Sequence, residues 1–229
     1  MSFQTIVVAF LGGILPALLW LWFWLKEDRL HPEPRSMIIR TFIAGMIAVP
    51  LVLPLEQFVQ KQYILETLLV VFLWSFIEEI FKWGAALFSA LDTKEYNEPI
   101  DAVIYLITAS LGFAAMENTF FLVSSISNSG FVTSFVSGNL RFIGATLLHV
   151  LSSGTIGLFL GISYCKHWLV KKIYFVFGLA LAVLLHAMFN LYIMKSDGTN
   201  ILIIFLFVWL AIILLLAGFE KIKKINQCR

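Results

Sequence analysis

Apolar residues fall in seven long stretches separated by short polar ones: 5–25, 36–55, 64–90, 100–125, 139–163, 173–194 and 201–219. A bilayer's hydrocarbon core is about 30 Å thick and takes about 20 helical residues at 1.5 Å each, so each stretch is read as a span. Lipid offers backbone groups no hydrogen-bond partner, which favours helices throughout. The pattern predicts an all-α, polytopic transmembrane helical bundle of about seven spans, the whole of 1–229 forming one transmembrane domain. The third and fourth stretches exceed the bilayer, which predicts tilt or extension into water. Ser124, Ser125, Ser127, Asn128, Ser129 and Gly130 read as a polar loop. The following Phe131 to Val136 read as an interfacial dip or an eighth, short helix. No Lys or Arg precedes the first stretch, which is also too long for a signal-peptide core, so it reads as a retained helix.

Composition narrows the class. Hydrophobic residues make up 60% and charged residues 13% of the 229, against roughly 45–50% and about 25% in soluble domains. Such a chain cannot cover a globule with polar surface, which excludes a soluble enzyme, a disordered tail and a secreted disulfide scaffold. A net charge of +2 is too small for a nucleic-acid partner. Its distribution says more. Lys26, Arg29, Arg35, Lys94, Lys166, Lys171, Lys172, Lys221, Lys223, Lys224 and Arg229 collect on one side of the membrane, and only Lys61 and Lys195 on the other. Cytoplasmic connections carry the Lys and Arg excess, so the N-terminus is expected outside. Trp22, Trp24 and Trp168 are expected at headgroup level near the cytoplasmic ends. Cys165 and Cys228 read as unpaired thiols.

Function is sought among the ionisable residues inside the spans, because a charge at mid-bilayer costs roughly 2.5–3.5 kcal/mol on insertion scales. The third span carries Glu78, Glu79 and Lys82; the fourth, Asp101 at its start and then Glu117-Asn118; the fifth, Arg141 and His149; the sixth, His186 and Asn190. Glu78 and Lys82 share a helix face at i,i+4, with Glu79 turned about 100° away, so Lys82 is expected to pair with one glutamate and leave the other free. His186 and Asn190, also i,i+4, project toward one spot. Counted from the outer ends, Glu117, His149 and His186 lie roughly 12–15 Å deep and Glu78 roughly 20 Å. Four helices thus bring carboxylates, imidazoles and an amide to one level in the external half.

Each has a plainer reading. Glu79 and Lys82 form a buried ion pair that locks the helix, Glu117 and Asn118 satisfy polar backbone, and His149 and His186 are structural hydrogen-bonders. Arg141 snorkels, and Asp101 caps the fourth helix. Ser153, Gly157 and Gly161 form a small-residue packing ridge.

The chemistry of the set is water-based. A buried carboxylate pair supplies a general base and a general acid, while His186 and Asn190 can donate hydrogen bonds to a developing oxyanion. No Ser or Cys with a paired base is apparent. The reading is peptide-bond hydrolysis within the membrane by glutamate-activated water. A Glu/His cluster also suits zinc, but without an HExxH spacing no metal and no other cofactor is assigned.

The ordered set Glu78-Glu79-x-x-Lys82-Trp83, Gly112-Phe113-Ala114-x-x-Glu117-Asn118, His149 and His186-x-x-x-Asn190 resembles the PrsW family of bacterial membrane proteases. That family is similar to a distant branch of the CAAX-protease and bacteriocin-processing superfamily. The resemblance covers about residues 30 to 220, with Asp101 and Tyr105 included. It implies that Glu78 and Glu79 are the paired glutamates and His186 the essential histidine, with Glu117, His149 and Asn190 completing the catalytic set and Lys82 as a structural ion-pair partner. Glu117 stands where the superfamily has a histidine, and Ala102 and Leu106 where glycine is usual. The resemblance further implies a multi-pass protein of the bacterial cell membrane, acting on a single-pass membrane substrate, an anti-sigma factor, near the outer face. An ion or proton transporter and a non-catalytic scaffold of the same fold remain the alternatives.

Overall fold

The computed structural model describes residues 3–28, 32–63, 66–129, 131–195 and 201–225, with the side chains of 129, 131–143, 195, 201, 202 and 204, and so of Arg141, outside that description. Seven helices and no strand occur among the described residues: α1 (Phe3–Glu27), α2 (Arg35–Gln62), α3 (Thr67–Ala86), α4 (Asp101–Ser129), α5 (Phe131–Ile162), α6 (Trp168–Lys195) and α7 (Ile201–Ile222). Six are long and apolar enough to cross a membrane. The other, α3, has 20 residues, about 30 Å at 1.5 Å each, but carries Glu78, Glu79 and Lys82. It ends in a π-helical turn, Leu87–Leu91, where the Phe88 carbonyl accepts a hydrogen bond from Arg40 Nη2 at 3.2 Å.

Helix α4 is the hub. Every residue from Asp101 to Ala115 is buried, because α1, α2, α3 and α5 all pack on it. Two glycines make this possible for α2. Gly45 lies on the Ala109 carbonyl and Gly112 on the Phe42 carbonyl, so a Cβ at either would run into the other helix's backbone. Apolar contact drives little association between helices in lipid, and close backbone approach through small residues takes its place. The outer helices keep apolar side chains facing outward, as at Leu19, Phe177 and Leu214.

Several sequence expectations change here. The stretch read as a polar loop is helical on both sides, with α4 running to Ser129 and α5 starting at Phe131. Phe131–Val136 are therefore the first turns of α5, not a separate eighth helix. Ser127 donates to the Val123 carbonyl at 2.8 Å, a back-bond that keeps a short polar side chain within a helix. Trp24, near the end of α1, is buried against Phe219, rings 5.8 Å apart. Trp22 is exposed, with Lys26 Nζ 3.3 Å from its ring centroid. Asp101 stands in the first turn of α4, as expected, and its carboxylate also accepts the N–H groups of Asn97 at 2.9 Å and Glu98 at 2.7 Å, so it braces the preceding loop. Cys165 is disulfide-bonded, not a free thiol; Cys228 lies outside the described residues.

Candidate active site

The site is built from the middle of four helices. Lys82 on α3 is completely buried, and its ammonium has three hydrogens. It donates to Glu78 Oε2 at 3.1 Å, to Glu79 Oε1 at 2.8 Å and to His149 Nδ1 at 2.7 Å. The expectation that Lys82 serves one glutamate and frees the other is corrected. One helical turn brings both carboxylates within reach of a long, flexible side chain, and nothing nearby competes for it except His149.

These bonds fix the imidazole tautomers. An ammonium only donates, so His149 Nδ1 must accept, and Nε2 carries the hydrogen that goes to Glu117 Oε2 at 2.8 Å. His186 on α6 gives its Nδ1 hydrogen to Glu79 Oε1 at 2.8 Å, which turns Nε2 toward Glu78 Oε2, 3.7 Å away. The two rings stand edge to face, centroids 5.3 Å apart.

Surroundings, not spacing, separate the two glutamates. Glu79 is wholly buried and accepts from four donors: Lys82, His186, Ser152 Oγ at 2.9 Å and Ser153 Oγ at 2.9 Å. Lys82, His186 and Ser152 converge on Oε1 and Ser153 takes Oε2, so both oxygens are engaged by buried donors. Glu78 instead keeps about a tenth of its side chain exposed and lines a cavity of about 280 Å³. At about 30 Å³ per water the cavity has room for several. Glu117, His149, His186 and Asn190 line it as well, with Trp74, Phe113 and Phe189 among the apolar walls. All six residues assigned to catalysis therefore lie in one cluster, five on the cavity wall and Glu79 behind it. Asn118 stands apart, tying α4 to Thr146 of α5 at 3.3 Å.

Three contributors escaped the sequence reading. Ser153 was taken with Gly157 and Gly161 as a packing ridge. Only the glycines behave so: a Cβ on Gly157 would lie 2.6 Å from Val103 Cα. Ser153 and its neighbour Ser152 hold Glu79. The third is Glu56 of α2, part-buried on the cavity wall beside Glu78. It falls one residue beyond the apolar stretch 36–55, where an acidic residue reads as an ordinary helix end.

The cluster also suits a metal ion. Glu78, His149 and His186 each offer a ligand atom, all within 4.8 Å of one another. Tetrahedral zinc, with bonds of about 2.0–2.1 Å, calls for a modest contraction of that triangle. Both imidazoles already donate their other nitrogen to a carboxylate, His149 to Glu117 and His186 to Glu79, the support metal-bound histidines usually have. The donor set fits, provided Lys82 releases His149 Nδ1. No local spacing announces this set, because its members come from α3, α5 and α6.

Fold and site together define a polytopic helical membrane protein with a hydrolase-like polar centre at the base of an intramembrane cavity. The model of the PrsW family intramembrane metalloprotease matches residues 33–217, and the chain belongs to that family. Protease PrsW of Halalkalibacterium halodurans is 28% identical, the match covering 94% of this chain and 96% of that protein. Protease PrsW of Oceanobacillus iheyensis is 27% identical over 94% and 95%, and that of Bacillus subtilis 28% over 66% of each. No solved structure matches the chain significantly. The chain is a multi-pass membrane peptidase of the bacterial cell membrane.

Proposed function

We propose that the chain crosses the membrane seven times with its N-terminus outside and hydrolyses a peptide bond of a single-pass membrane protein near the outer face. By family resemblance the substrate is an anti-sigma factor. The Lys and Arg asymmetry supports the orientation. The cavity wall includes Glu56 near the outer end of α2, and Ile193 and Met194 near that of α6, which supports a cut on that side.

In this reading Glu78 is the base. The observation that carries it is the contrast between the two glutamates, one open to the cavity and one wholly buried and held by four donors. Glu78 takes a proton as water attacks the carbonyl carbon. The C–N bond then breaks, and that proton passes to the departing amine. Asn190 offers N–H groups to the oxyanion. His186 Nε2, its Nδ1 hydrogen committed to Glu79, orients the water as an acceptor. Glu79 is a positioning residue that holds Lys82 and His186.

The ligand triangle and the family's description as a metalloprotease favour a second reading. Glu78, His149 and His186 would hold a divalent ion, with Glu79 and Glu117 orienting the imidazoles. A bound ion supplies a Lewis acid and a more acidic water.

The test is purified protein in liposomes with a single-pass substrate, the products read by mass spectrometry. Glu78→Gln should abolish cleavage while leaving a folded, inserted protein; full cleavage by that variant would remove Glu78 from both readings. Activity that survives a strong chelator supports the metal-free version. Loss that Zn²⁺ restores supports the second.

A further inference from the structure

Three glutamates stand on the wall of the catalytic cavity. Glu78 is the base in the reading above, and Glu117 accepts the His149 Nε2 hydrogen at 2.8 Å. The third, Glu56 of α2, has no part in that chemistry, yet its place is firmly held. Its backbone carbonyl accepts the Trp74 Nε1 hydrogen at 2.9 Å, and its carboxyl is in hydrogen-bonding contact with that of Glu78. Trp74 and Glu78 stand i,i+4 on α3, so one face of α3 fixes Glu56 at both its backbone and its side chain.

Charge here is out of balance among the described residues. Glu56, Glu78, Glu79 and Glu117 bring four carboxyl groups, and Lys82 one ammonium. The three hydrogens of Lys82 go to Glu78, Glu79 and His149, and no lysine or arginine lines the cavity. Ionised carboxylates only accept hydrogen bonds, so Glu56 and Glu78 in contact need a positive charge between them. A proton would meet that need with no help from the wall. The wall offers more: Trp74 beside Glu56 and Leu53, three residues earlier on the same face of α2, both line the cavity. A lysine or arginine side chain fits such a surface, its methylenes along apolar groups, its head near an indole and its charge on a carboxylate. A divalent ion has no use for it, and Glu56 is not among the Glu78, His149 and His186 ligand atoms.

We propose that Glu56 is a specificity-determining residue, which receives a lysine or arginine side chain that the substrate carries next to the scissile bond. The proposal rests on the hydrolase reading above and adds the chemistry by which the cavity chooses its substrate. Contact with Glu78 places the basic head group close to the attacked carbonyl, hence on a residue flanking the cut. Lys and Arg are scarce on the outer flanks of membrane-spanning helices, so a basic residue required there marks few single-pass proteins for cleavage.

The experiment uses the full chain in liposomes with a single-pass substrate whose cut has been located by mass spectrometry. Each residue flanking the cut is replaced in turn by Lys, Gln or Glu. At one such position the wild type is expected to cleave the Lys form about tenfold faster than the Gln form, in kcat/KM, and the Glu form more slowly still. Glu56→Gln should equalise the Lys and Gln forms, whatever its absolute rates, and Glu56→Lys should favour the Glu form; thermal scanning checks that both variants fold. Equal cleavage of the Lys, Gln and Glu forms by the wild type at every position overturns the proposal without recourse to a variant, and leaves the hydrolase reading standing. An unchanged preference in Glu56→Gln, or one that follows added Zn²⁺ or chelator instead of the residue at 56, overturns it as well. If the wild type cuts no single-pass substrate at all, the hydrolase reading falls and this assignment with it.

Discussion

Lys82 donates to His149 across 2.7 Å, from α3 to α5, and so decides which nitrogen of that ring carries its hydrogen. Through that ring the ammonium on α3 is linked to Glu117 on α4. A lysine that seemed to balance a neighbouring charge is thus the node on which the site's hydrogen-bond directions depend.

Removing this node should be severe. Lys82→Met leaves Glu78 and Glu79 buried without their cation, and breaking a buried ion pair from one side costs about 3–5 kcal/mol. The variant is expected to unfold well below the wild-type temperature in detergent, as read by thermal scanning. A melting curve matching the wild type would show the three bonds to be dispensable.

The serines offer a gentler probe. Ser152→Ala and Ser153→Ala each delete one hydrogen bond to the Glu79 carboxylate. Hydrogen bonds to charged groups contribute about 1.5–3 kcal/mol, so each variant should lose about ten- to a hundred-fold in activity if the bond acts wholly on the working geometry. The loss should appear in kcat rather than KM, because Glu79 lies behind the cavity wall. A change confined to KM would contradict its positioning role.

Glu33 gives a pH prediction away from the membrane interior. Between α1 and α2 it is hydrogen-bonded to Tyr105, and burial, assisted by Asp101 and Asp28, raises its carboxyl from 4.5 to about 8. Between those two values the folded protein holds a proton that the unfolded chain has lost, so Glu33's contribution to stability falls as pH rises from about 4.5 to about 8. Melting temperatures of wild type and Glu33→Gln across that range should converge or cross, with the wild type carrying the steeper decline. Parallel curves would refute this.

Helix contact supplies a fourth prediction. Gly112→Val places side-chain atoms on the Phe42 backbone, which a rigid helix cannot yield. Since α4 also carries Glu117 one and a half turns further along, separating α2 from α4 should lower both stability and cleavage. Gly84→Ala, where no atom lies within 4 Å of the added Cβ, should change stability little. Similar losses in the two variants would mean that helix propensity, not contact, governs.

The sequence determined the class of this protein. Apolar length set the helices, since lipid leaves backbone groups no other way to be satisfied. Polar and ionisable residues inside those helices marked Glu78, Glu79, Glu117, His149, His186 and Asn190, because such residues are costly in a membrane without a role. Side-chain periodicity even placed them on faces. It could not say which faces meet. The different surroundings of Glu78 and Glu79, the role of Ser152 and of Ser153, expected only to pack, in holding Glu79, the arrival of Glu56 at the cavity and the tautomer of His149 all depend on contacts between α2, α3, α5 and α6. Close backbone approach seats two of those helices on α4, α2 through Gly45 and Gly112 and α5 through Gly157, and a one-dimensional pattern carries no distance between helices.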